Sequence, residues 1–115
     1  MYSKPKLLQG IFDFTGKGLN RPSLLSSELC YVVPVGKRAQ FVYFRGGNST
    51  DELIYVVLMR DGAPMRYFPL GARSSSHVPL AVVEDSMSNT RFEAYLAAPE
   101  GVTGTVVLDI GLVEI

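Results

Sequence analysis

Tyrosine recurs at Tyr31, Tyr43, Tyr55 and Tyr67, twelve residues apart each time, with Tyr95 further along. Arg45, Arg60, Arg66 and Arg73 lie close to these positions, and the single histidine, His77, follows them. A tyrosine ring has an apolar face and a polar tip. Rings gathered on one surface therefore stack on sugars or nucleobases, or become protein interfaces. Arginine beside tyrosine favours interfaces and carboxylate ligands. Tyr43, Tyr55, Tyr67, Arg45, Arg66, Arg73 and His77 are accordingly the candidate binding residues. Asn48 and Asp51 join them from Gly46-Gly47-Asn48-Ser49-Thr50-Asp51, which reads as the longest polar loop of the chain. The alternative is that the tyrosines half-cover a core with their hydroxyls at its rim, since spacing alone does not set register between strands.

Catalytic chemistry finds less support. His77 is preceded by Ser74-Ser75-Ser76. Neighbouring strand residues point to opposite faces, so Ser76 cannot share a face with His77, whereas Ser75 can. A hydrolase with His77 as base would need a nucleophile presented from another segment, and no Gly-x-Ser-x-Gly elbow is present. The chain reads as a non-enzyme that needs no cofactor. With one histidine and one cysteine, Cys30, a metal site built on these ligands is excluded, as is an internal disulfide. Cys30 itself sits in an apolar run and reads as a small buried hydrophobe. Two loops rich in oxygen, 48–52 and 84–89, could attract calcium, but neither follows a calcium-loop pattern. Gly16-Lys17-Gly18 and Arg45-Gly46-Gly47-Asn48 could cradle a phosphate, but lack the Lys-Ser/Thr and helix of a P-loop, so both read as turns. Asn48-Ser49-Thr50 is formally a glycosylation sequon.

The formal net charge is zero, which argues against nucleic acid and anionic lipid as partners. Residues 37–73 are predominantly basic and residues 84–115 predominantly acidic. Such halves complement each other within one fold or between copies. No apolar run long enough to span a membrane occurs, and no signal-peptide core follows the N-terminal charges, so the expectation is a cytoplasmic protein.

Holding these residues in place falls to short apolar runs broken by turn residues about every ten positions. Strands are predicted over 7–14, 28–33, 39–45, 52–60, 65–68, 77–83, 91–97 and 103–115. Asp61-Gly62 is a strong hairpin signal. Pro64, Pro69 and Pro79 cannot donate to a ladder and push their strands towards sheet edges. Gly111 predicts a bulge or a corner between sheets. No helical period of useful length separates the strands, which excludes a parallel βαβ fold. The expected architecture is all-β: a single antiparallel β-sandwich or jelly roll over residues 1–115, with about seven to nine short strands. At most one short helical turn is expected, near residues 22–27, where Pro22 suits a first helical position.

The stretch from Pro64-Met65-Arg66 through Pro69 and Ala72-Arg73 to His77-Val78 resembles a hairpin of the sensory rhodopsin transducer proteins. The resemblance implies a small bacterial signalling β-sandwich that oligomerises, a family proposed to signal through DNA. The residues themselves favour a non-catalytic module that self-associates or docks on a protein partner through a Tyr/Arg-rich face. A lectin-like module for a small ligand, carbohydrate or calcium, is the alternative.

Overall fold

A computed structural model describes residues 4–80 and 86–115. Nine strands form within them: β1 Lys4–Thr15, β2 Ser23–Leu24, β3 Cys30–Val32, β4 Ala39–Asn48, β5 Ile54–Arg60, β6 Ala63–Leu70, β7 Ser75–Pro79, β8 Arg91–Ala97 and β9 Thr103–Glu114. They assemble into two antiparallel sheets, as the alternation of the sequence requires. The first sheet has the order β1-β9-β4-β7. In the second the order is β2-β8-β5-β6, with β3 also pairing β8. Hence the fold is an all-β sandwich.

Period-two patterning decides which side chains enter the space between the sheets. Val106, Leu108, Ile110 and Leu112 of β9 face inward, as do Ile54, Val56 and Leu58 of β5 and Ala94 and Leu96 of β8. Phe44 stacks on Phe68 across the layers with ring centroids 4.1 Å apart, and Phe41 meets Phe92 edge-on at 4.7 Å. Each such buried side chain contributes about 1.5–3 kcal/mol. Tyr31 also turns inward. Its hydroxyl donates to Glu114 Oε2 at 2.5 Å and satisfies a carboxylate that would otherwise be buried at a cost.

Local signals explain several connections. Asp61 and Gly62 both adopt positive φ, 49° and 82°, the geometry that a two-residue hairpin between β5 and β6 demands. The proline-bearing strands β6 and β7 lie at sheet edges, as their missing donors dictate. The single 3-10 turn covers Ser27–Leu29, with Ser26 Oγ accepting from Glu28 N. It starts at that cap and not at Pro22, because Ser23–Leu24 is drawn into a bridge with β8.

Two expectations change. Gly46 and Gly47 are not a turn: β4 runs through them to Asn48, because β9 pairs along one side of them and β7 along the other. Gly111 neither bulges nor turns a corner. The irregularity sits opposite it, between Phe41 and Tyr43 of β4, and the Tyr43 ring lies across Gly111 so closely that a Cβ there would fall 2.0 Å from Cε2. Residues 81–83 of the strand predicted over 77–83 and the acidic pair Glu84-Asp85 lie outside the described residues.

Candidate functional site

Registers across the first sheet align side chains from four strands on its outer face. Gln9 of β1 stands opposite Asp109 of β9, Asp109 opposite Arg45 of β4, and Arg45 opposite His77 of β7. One row further along, Ile11, Val107, Gly47 and Ser75 are aligned in the same way. Since Gly47 has no side chain, the face sinks there between Val107 and Ser75. The result is an open dish of about 410 Å³ lined by Arg45, Gly46, Gly47, Ser75, His77, Val107 and Asp109.

Tyr43 fixes the polar groups of this dish. Its hydroxyl donates to Asp109 Oδ1 at 2.9 Å. Its ring is met edge-on by the imidazole of His77 at 6.2 Å, and the Arg45 guanidinium lies over it at 5.3 Å. That last distance is within cation–π range. Partial burial and then the hydrogen bond to Asp109 raise the Tyr43 phenol above its ordinary value, so it remains a donor at neutral pH. The acidic C-terminal third thus complements the basic middle of the chain within one sheet, at Asp109 and Arg45.

Of the residues selected from sequence, Tyr43, Arg45 and His77 meet here. Others do not. Tyr55 and Tyr67 lie together on the outer face of the second sheet, with ring centroids 5.7 Å apart. Arg66 stands opposite Leu58 on the inward side of β6 and shares no face with Tyr67. No single Tyr/Arg face therefore exists.

Asn48 is structural. Its Nδ2 donates to the carbonyls of Glu52, Leu70 and Gly71, while its Oδ1 accepts from Thr50 N and Oγ1. The side chain staples two loops and is buried, which leaves it unable to serve as a ligand donor or glycan acceptor. Asp51 and Arg73 clasp each other in the open, and the guanidinium holds the Asp51 carboxyl below its usual range. Among the described residues no three of His, Cys, Asp and Glu cluster.

Ser75, His77 and Asp109 are the residue types of a hydrolytic triad and share the dish. The geometry is not that of a triad. Asp109 is engaged by Tyr43, and among the described residues no hydrogen bond joins His77 to Ser75 or to Asp109. The sequence reading missed Gln9, Val107 and Asp109. A charge at an outward position within Val106-Val107-Leu108-Asp109-Ile110 was the available signal for Asp109.

The CBM36-1 domain of a multidomain xylanase from the hindgut metagenome of Trinervitermes trinervoides aligns with a TM-score of 0.58, at 14% identity over 96% of each chain. A carbohydrate-binding module, CBM36, in complex with calcium and xylotriose aligns with a TM-score of 0.57 at 12% identity. That match covers 94% of this chain and 97% of the other. In fold, this chain is similar to carbohydrate-binding modules. No family model and no curated protein matches the sequence. The segment 64–78 that resembles a transducer hairpin is, in this fold, a crossover: β6 belongs to the second sheet and β7 to the first.

Proposed function

We propose that the chain is a non-catalytic binding module that holds a polyhydroxylated ligand, a short oligosaccharide, in the dish on the first sheet. The alignment of Asp109, Arg45 and His77 around the gap left by Gly47 carries this reading. Sugar hydroxyls both donate and accept. A carboxylate, a guanidinium and an imidazole side by side satisfy them in either direction, whereas Asp109 repels a purely anionic ligand. Val107, half-exposed in the dish, offers apolar contact to a sugar's C–H faces. The volume falls in the range usual for small-ligand sites. Likeness in fold to carbohydrate-binding modules supports the same reading.

A panel of neutral oligosaccharides followed by thermal shift and calorimetry tests it, each run with calcium and with chelator. A true ligand at a hundred times its dissociation constant stabilises the fold by about 2.7 kcal/mol. Arg45→Ala and Asp109→Asn each remove a charged partner, a loss of about 2 kcal/mol or roughly thirtyfold in affinity. Gly47→Leu fills the dish; a Cβ at that position meets nothing closer than Val107 Cβ at 4.0 Å, so the fold should persist. A panel without any shift, or binding that survives Gly47→Leu, overturns the proposal.

A further inference from the structure

Every open sandwich has edge strands, and three of the four edges described here are blunted. The strand β6 carries Pro64 and Pro69, β7 has five residues and carries Pro79, and the far side of β8 is closed by the short strands β2 and β3. Each device discourages pairing with another chain. The fourth edge, β1, has none of them along its middle. It is twelve residues long, its one proline is Pro5 near its start, and among the described residues it pairs only with β9. A free edge of this length presents a row of unpaired backbone groups. Two of its outward side chains are apolar as well: Leu7 is 52% exposed and Ile11 72%, with Val107, opposite Ile11, 50% exposed.

We propose that β1 pairs antiparallel with β1 of a second copy, joining two four-stranded sheets into one of eight strands. The self-complementary pair Leu7 and Ile11 selects the occupant, and charge favours the antiparallel direction. Lys4 and Lys6 lie at one end of the strand and Asp13 at the other, so antiparallel pairing sets the basic end of each copy beside the acidic end of its partner. Parallel pairing would set like against like. Parity then restricts the register. Directly opposed residues must share a face, and Leu7, Gln9 and Ile11 all face outward. With the two-fold axis at Gln9, Gln9 meets its own copy and Leu7 meets Ile11 twice. Two exposed apolar pairs are covered in one symmetric contact, the isologous arrangement of common dimers.

The dimer also lays both dishes on one continuous surface. Five strand spacings of about 4.8 Å separate the two β4 strands, or about 24 Å. This corollary alone rests on the ligand reading, and the measurements below require no ligand.

Sedimentation equilibrium should give twice the chain mass of 12.6 kDa. Leu7→Lys/Ile11→Lys changes only exposed side chains and should sediment as a monomer with an unchanged circular dichroism spectrum. In a Cys30→Ala background, Gln9→Cys should form an intermolecular disulfide, because opposed Cα atoms about 4.5–5.5 Å apart lie within disulfide reach. Ile11→Cys alone should not, since it faces Leu7. A wild-type monomer at the highest soluble concentration overturns the proposal. So does a dimer that survives the double lysine variant, since another surface must then hold it. Loss of the dimer in that variant without cross-linking at Gln9 overturns the register.

Discussion

The outer faces of the two sheets both carry tyrosine, and they use it in opposite ways. On the second sheet Val57 stands directly opposite Tyr67 and Tyr95 and is fully buried although it lies outside the sandwich. Tyr55 packs against Tyr67 beside it, and its hydroxyl donates to the Leu19 carbonyl at 2.6 Å. These rings cover Val57, although Tyr67 itself remains 60% exposed. On the first sheet Tyr43 lies over one glycine, Gly111, and a second glycine, Gly47, leaves a gap two rows further on. Side chains with unspent hydrogen-bonding capacity stand around that gap. What distinguishes the hollowed face from the filled one is therefore the glycine between the strands and not the tyrosine.

This contrast can be broken in several places. Gly111→Ala should have the largest effect, about 3 kcal/mol, because its Cβ would collide with a ring locked by Asp109. Chemical denaturation reads the loss. A near-neutral result would show that Tyr43 swings away freely and that the dish is not preorganised. Val57→Ala should cost about 2 kcal/mol, a value typical of a buried core position, despite its place on an outer face. An effect below 0.5 kcal/mol, as at ordinary surface positions, would mean that the second face is as open as the first. Tyr43→Phe keeps the ring and loses only the bond to Asp109, a cost of about 1 kcal/mol. Ligand affinity should fall with it, because Asp109 is then no longer held in place.

The smallest effect appears only in alkali. Burial raises the phenols of Tyr31, Tyr43 and Tyr55, helped by Glu114 at Tyr31, by Asp109 at Tyr43 and by Tyr67 at Tyr55. The folded state thus favours the protonated phenol. Its contribution is complete below the ordinary tyrosine value of about 10 and is lost as pH rises through the elevated values. Tyrosinate absorbance in an alkaline titration should show these three ionising later than free tyrosine, and Tyr43→Phe should remove one of them. Early ionisation of all three would contradict the arrangement on both faces.

Most of the architecture was legible in the sequence, because its signals are local. The continuous apolar run from Leu53 to Met59 placed β5, Asp61-Gly62 fixed a hairpin, and the prolines marked two edges. The candidate site was legible only in part. Twelve-residue spacing put Tyr31, Tyr43, Tyr55 and Tyr67 on successive strands, but β4 lies in the first sheet while β3, β5 and β6 lie in the second, and that division depends on partners far along the chain. Gly46 and Gly47 read as a turn by local propensity. The ladders with β7 and β9, which outweigh glycine's entropic cost, come from residues thirty to sixty positions later. Asn48 looked like a ligand because nothing local reveals the three carbonyls awaiting its amide.

The pairing of β1 with β9, from Lys4 opposite Glu114 to Thr15 opposite Thr103, has a consequence for how the molecule comes into being. The strand that separates β1 from β4 is the last of the nine described strands in chain order. Until it emerges from the ribosome, the first sheet lacks its middle, and both strands that await it expose apolar edges to solvent. Such long-range closure is slow, since loop entropy must be overcome before the contacts form. The folding rate of this domain should therefore be governed by the arrival of β9, and the unfinished chain should be most prone to aggregate just before it.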